Sequence, residues 1–192
     1  MSPVLVRADE VAPQAWRNGG GRTRELLAWP SAANWQLRIS LADIEADGPF
    51  SAFPGVQRWF AVIEGTGVRL VFAGGERRVV PGDAPLSFDG AEAPGCHLIA
   101  GPTRDLNLML AHGAGGAMEI AQHGLPWRPT AASCGLFAVQ AGTVSAGDAV
   151  WSVPARTLLW LDQSPAAALT FRADGSGEGT IGWWLSFTAN EG

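Results

Sequence analysis

A chain of 192 residues that is 47% hydrophobic and 16% charged can bury a full core and carries too little charge for disorder. Its net charge of −5 argues against a partner read through nucleic-acid phosphates, and with all 13 basic residues arginine it offers neither a Schiff-base nor a P-loop lysine. No apolar run suits a membrane span and no basic segment leads into an apolar one, so the expected setting is cytoplasmic, with Cys96 and Cys134 as reduced thiols.

In chain order, a single helical turn is expected near Asp9 to Trp16, with Asp9 as its cap. Next comes WRNGGGRTRE, Trp16 to Glu25, where three glycines sit among hydrogen-bonding and charged side chains; such a segment reads as a site or as a turn that locks the entrance to a barrel. Strand-like runs follow at Trp35 to Leu41, Trp59 to Glu64, Val68 to Phe72, Glu76 to Val80, Ala84 to Phe88, Cys96 to Ala100 and Leu106 to Leu110. Turn residues at Gly65 to Gly67, Ala73 to Gly75 and Pro81 to Asp83 separate them, which is the spacing of an all-β barrel or sandwich. A glycine-rich link runs from Ala111 to Gly124. Beyond it, FAVIEGTG of Phe60 to Gly67 returns as FAVQAGTV of Phe137 to Val144, and VPGDAPLSF of Val80 to Phe88 is faintly echoed by VPARTLLWL of Val153 to Leu161. The echo predicts a repeated supersecondary unit with the two hairpins in equivalent positions.

Three of these segments, WRNGGGRTRE, Ile39 to Gly67 (ISLADIEADGPFSAFPGVQRWFAVIEGTG) and Asp105 to Leu110 (DLNLML), resemble the HutD/Ves family, small bacterial proteins of the cupin superfamily linked to histidine utilization. The resemblance reaches Leu110 and weakens beyond it. It implies a bicupin, two fused antiparallel β-barrels of jelly-roll type, with residues 1–114 as the N-terminal barrel and 115–192 as a C-terminal barrel that shares strands with the N-terminus. It also implies a role in the control or support of histidine breakdown.

Cupin metal sites use an HxH pair, a glutamate and a later histidine, whereas the corresponding strand here reads QRWFAVIEG and His97, His112 and His123 are scattered. The expectation is therefore no metal and no cofactor. No GxSxG elbow or activated thiolate is present, and GGGRT lacks the second half of a phosphate loop. Glu25, Glu64 and Asp105 are candidate general bases or, alternatively, partners of arginines. Arginine is the more informative residue, because its planar fork can hold a carboxylate at two points and stays charged when partly buried. Arg17, Arg22 and Arg24 cluster in the signature, and Arg58 begins a strand directly after FPGVQ; the alternative is internal pairing with Glu25, Asp43 or Asp105.

Strand alternation puts Arg58, Phe60, Val62 and Glu64 on one face, and Asp105, Asn107 and Met109 opposite three leucines. The expected ligand site therefore comprises Arg58, Asn107, Asn18, Arg24, Asp105, Arg17 and Glu25, with no residue assigned a catalytic role. Trp16, Trp35 and Trp59 could wall it or serve the core. The expected partner is a small carboxylate such as urocanate, formiminoglutamate or formylglutamate, and a homodimer is compatible with this reading. A metal-independent isomerase or hydrolase of the same pathway and a protein-interaction scaffold are the rival readings.

Overall fold

β-branched and aromatic residues fall between glycine and proline turns, and the chain accordingly forms short strands joined by tight loops. The computed structural model describes residues 2–175 and 179–190. In chain order the strands are β1 (Val4–Arg7), β2 (Gln14–Ala15), β3 (Gly21–Trp29), β4 (Leu37–Ile44), β5 (Gly48–Pro49), β6 (Val56–Glu64), β7 (Val68–Phe72), β8 (Gly75–Val79), β9 (Leu86–Asp89) and β10 (Gly95–Leu98). They continue as β11 (Thr103–Ala111), β12 (Gly115–Ile120), β13 (Pro126–Trp127), β14 (Ser133–Ala138), β15 (Gly142–Ala146), β16 (Ala149–Val153), β17 (Thr157–Leu161), β18 (Leu169–Ala173) and β19 (Gly182–Thr188). Among the described residues every pairing is antiparallel and the helical elements are 3-10 turns at Ala8–Glu10 and Gly90–Glu92, so the fold is all-β.

The helical turn expected over Asp9 to Trp16 is shorter than that. A 3-10 turn occupies Ala8–Glu10 and the chain is extended again at Gln14–Ala15. Pro13 explains the break, since it lacks an N–H and biases Ala12 away from helical angles. Arg7, not Asp9, holds the cap position, and Asp9 accepts from Arg156 at 2.8 Å.

Two compact units emerge, Ala12–Gly113 and Met1–Val11 with Ala114–Gly192. The first residues belong with the C-terminal unit because β1 pairs along its whole length with β17. In the Ala12–Gly113 unit, one sheet has the order β2-β3-β4-β11-β6-β9 and the other β5-β10-β7-β8. The second unit has β1-β17-β14-β19-β12 and β13-β18-β15-β16. Adding eight to each label from β4 to β11 converts the first pattern into the second, so the strand order repeats in full.

The echoed sequences fall on equivalent elements, β6 into β7 and β14 into β15. Their faces differ, however: Phe60 is in its unit's core cluster, whereas in the other unit Leu136 and Ala138, the neighbours of Phe137 on either side, are the cluster members. The first cluster gathers Ile44, Phe60, Val62 and Phe88 from the larger sheet against Val68, Leu70, Val79 and Cys96 from the smaller. Both sheets therefore turn an apolar face inward, and the candidate site residues lie on the same inward face further along the strands.

Candidate functional site

Three registered rows build the site on β4, β11 and β6. Arg38, Met109 and Arg58 face one another in the first row, Ser40, Asn107 and Phe60 in the second, and Ala42, Asp105 and Val62 in the third. Because side chains alternate, all of these share one face, and Leu106, Leu108 and Leu110 take the other. β3 adds Thr23 beside Ala42 and Glu25 beside Ser40. A cavity of about 650 Å³ opens on this face, lined also by Gln14, Arg17, Asn18, Phe50 and Phe53.

Of the arginines that line it, Arg58 is the buried one. Only 6% of its surface is exposed, and its guanidinium stands 5.1 Å from the Phe50 and Phe88 ring centres and 5.7 Å from that of Phe53. This aromatic cage favours the cation while excluding water. One terminal nitrogen donates to Asn107 Oδ1 at 2.8 Å, but Nε has no partner. Burial pulls the Arg58 pKa down to about 10, with Asp105 opposing and Arg38 reinforcing the shift, so the group remains charged at neutral pH.

Asn107 in turn donates from Nδ2 to Asp105 Oδ1. Asp105 is 1% exposed, and burial pushes its carboxyl up to about 8, against the opposing pull of Arg58 and Asn107.

The glycine signature positions the cavity's rim. Gly19 adopts a left-handed φ of +72°, and Gly20 N–H donates to Asn18 Oδ1 at 3.0 Å, closing the turn that carries Arg17 and Asn18. At Gly21 a Cβ would collide with the Asp43 carbonyl oxygen on the neighbouring strand. From Gly21 onward the segment is strand, not turn, and this separates the signature's side chains. Thr23 faces the cavity and accepts from Trp16 Nε1 at 2.7 Å. Glu25, on the same face, accepts from Arg38 Nε at 2.8 Å.

Arg22 and Arg24 point the other way. Arg24 pairs with Asp43 at 2.6 Å, Arg104 with Asp43 at 2.6 Å and with Glu64 at 3.1 Å, and Arg22 with Glu45. Arg24 and Glu64 thus line a separate, charge-compensated depression away from the cavity. Glu64 leaves the face of Arg58 because the register shifts between Arg104 and Asp105. Of the seven residues expected at the site, Arg58, Asn107, Asp105, Asn18 and Arg17 line the cavity; Glu25 reaches it through Arg38, and Arg24 does not. Sequence alone did not single out Arg38, Ser40 or the phenylalanine cage; LRIS alternation was an available signal for the first two.

The donor set does not suit a metal. Three guanidinium groups, three amides and one carboxyl repel or weakly hold a divalent ion, and among the described residues no histidine lines the cavity. His97 instead meets Asp47 at 2.9 Å, and His123 accepts from the Ala173 N–H at 3.3 Å. Trp16 lines the cavity, while Trp35 packs near Phe53 at 6.5 Å.

The family model described as HutD matches residues 8–180. The chain belongs to the HutD family. This HutD-family chain is 39% identical over 110 residues to a Pseudomonas putida protein described as an uncharacterized 21.2 kDa protein in the hutC 3′ region, covering 56% of this chain and 57% of that one. Over 96 residues it is 36% identical to Protein Ves of Citrobacter koseri, covering 49% of this chain and 50% of Ves. The chain thus spans about half the length of the curated relatives it matches.

Two solved structures match over nearly their whole length. HutD from Pseudomonas fluorescens, in a formate condition, has a TM-score of 0.83 at 26% identity, covering 97% of this chain and 98% of HutD. A conserved protein of unknown function from Pseudomonas aeruginosa has a TM-score of 0.85 at 26% identity, covering 98% of this chain and all of that one. A Lactobacillus farciminis oxalate decarboxylase, solved as a formate complex, shares the cupin-like fold with a TM-score of 0.64 at 10% identity, covering 99% and 87% of the two chains.

Proposed function

We propose that this HutD-family protein binds a small carboxylate in the cavity of its Ala12–Gly113 unit, and that it serves histidine utilization as a metal-free binding protein without turnover. In the same reading the architecture is a bicupin of two jelly-roll barrels, supported by the strand order that repeats with an offset of eight. The observation that carries the ligand class is Arg58: a buried, caged cation with an unpartnered N–H on a cavity wall calls for an anion. The pathway rests on the names of its relatives, and the formate condition of the Pseudomonas fluorescens structure is consistent with a carboxylate. Urocanate, formiminoglutamate and formylglutamate are the candidate ligands because each bears a carboxylate. A cytoplasmic setting belongs to the same reading; no helix among the described residues is long and apolar enough to cross a membrane.

Calorimetry with the three acids tests the proposal. Loss of a charge-assisted, buried contact in Arg58→Ala weakens binding by on the order of 1.5–3 kcal/mol, about ten- to hundredfold. Arg58→Lys restores part of it, since lysine keeps the charge without the fork. Equal affinity of wild type and both variants removes Arg58 from the ligand. The buried acid Asp105 favours one second reading, an acid–base enzyme on the same substrates, and turnover of any of the three by the purified protein would establish it.

A further inference from the structure

Two buried polar atoms beside the cavity have no partner, Arg58 Nε and Asp105 Oδ2. Asn107 joins the two residues, accepting from Arg58 through Oδ1 and therefore donating to Asp105 through Nδ2. An ionised Asp105 would leave a charged oxygen buried with no donor, which is among the most costly arrangements in a protein interior. A neutral Asp105 instead presents an O–H, a second donor in the chain that already ends in the Arg58 N–H.

We propose that Asp105 is the proton carrier of the site: the bound complex holds the carboxylate of a small acid on Arg58 and one proton on Asp105 Oδ2, which donates to an oxygen of the ligand. The inference rests on the carboxylate reading above.

The groups around Asp105 act in both directions, with the Asn107 hydrogen bond favouring the ionised form. Arg58 on β6 favours its ionisation, while burial, the largest influence, and Asp43 on β4 oppose it. Arg38 on β4 acts on Arg58 and is itself paired with Glu25 on β3. Cys96 on β10 adds no charge, because its own thiol is pushed up to about 12, chiefly by burial. The free site therefore holds its proton at pH 7 and releases it above about pH 8, so binding at high pH must draw a proton from solvent.

Formylglutamate and formate have no group that titrates between pH 6.5 and 9, which makes them suitable probes. Calorimetry at these two pH values, each in two buffers of different ionisation enthalpy, is expected to show no net proton uptake at pH 6.5 and nearly one proton per ligand at pH 9. Affinity at pH 9 is expected to be about tenfold weaker. Asp105→Asn, whose amide still donates, binds with neither uptake nor pH dependence. Equal affinity at both pH values without uptake, while Arg58→Ala still weakens binding, overturns the proton carrier and leaves the carboxylate site standing. Failure of both acids to bind wild type overturns the two together. In ligand-free protein, the carboxyl carbon resonance that disappears in Asp105→Asn is expected to titrate near pH 8, and a midpoint below pH 5 overturns the proposal without reference to any ligand.

Discussion

Replacing Asp105 by asparagine should change how stability depends on pH, and the size of the change follows from burial. In the unfolded chain this carboxyl titrates at its ordinary value near 3.8, and in the fold at about 8. Between those values the folded protein holds one more proton than the unfolded one. By linkage, wild-type stability falls by about 1.4 kcal/mol for each pH unit across that window and is level outside it. The sign is that of an acid whose folded pKa is raised: the neutral form fits at no penalty below pH 4, and the penalty of a buried charge is complete above pH 8. Asparagine has the same shape and no proton to lose, so wild type minus Asp105→Asn declines by several kcal/mol from pH 4.5 to pH 8. Urea unfolding of both proteins at pH 4.5, 6, 7.5 and 9, at constant ionic strength, measures it, and the other carboxylates cancel in the difference. A difference that is flat or rises with pH would refute the reasoning and make Asp105 the ionised counter-charge of Arg58.

Gly21→Ala places a methyl group against the Asp43 carbonyl oxygen and the Trp16 ring, and is expected to cost about 1–3 kcal/mol, read as a lowered midpoint in thermal unfolding. An unchanged midpoint would mean that β3 and β4 are not as close as described. Cys96 and Cys134 are fully buried and burial raises both thiols, so a thiol reagent at pH 8 should label neither in the native protein and both after unfolding in denaturant.

Alternation made the faces of β11 legible in the sequence, because Asp105, Asn107 and Met109 interrupt three leucines at a strict period of two. The same rule placed Arg58 with Phe60 and Val62 but misplaced Glu64, since alternation cannot foresee the shift of register at Ile63, which faces no residue of β11. β3 was hidden by its composition: glycine and arginine at its start favour a turn on local grounds, and only pairing with β4 on one side and β2 on the other makes Gly21–Trp29 a strand. That pairing also sends Thr23 inward and Arg24 outward. The phenylalanine cage around Arg58 brings together a loop before β6 and a strand well after it, a juxtaposition to which local sequence pattern is blind.

The strand plan that occurs twice is furnished in opposite ways. On the inward faces of the Ala12–Gly113 unit, β6 and β11 carry Arg58, Asn107 and Asp105 next to the apolar cluster. The inward face of β14 instead offers Cys134, Leu136 and Ala138, and Trp184 of β19 lies opposite Leu136 and stacks on Trp127 at 5.0 Å between ring centres. One copy of the plan is filled with hydrocarbon, and the other tolerates a buried cation and a buried acid. Substitution is therefore read out differently in the two copies. An inward change in the tryptophan-filled unit is expected to register in folding alone, whereas an inward change around Arg58 is expected to register in folding and in charge state, and in affinity as well under the proposed carboxylate reading.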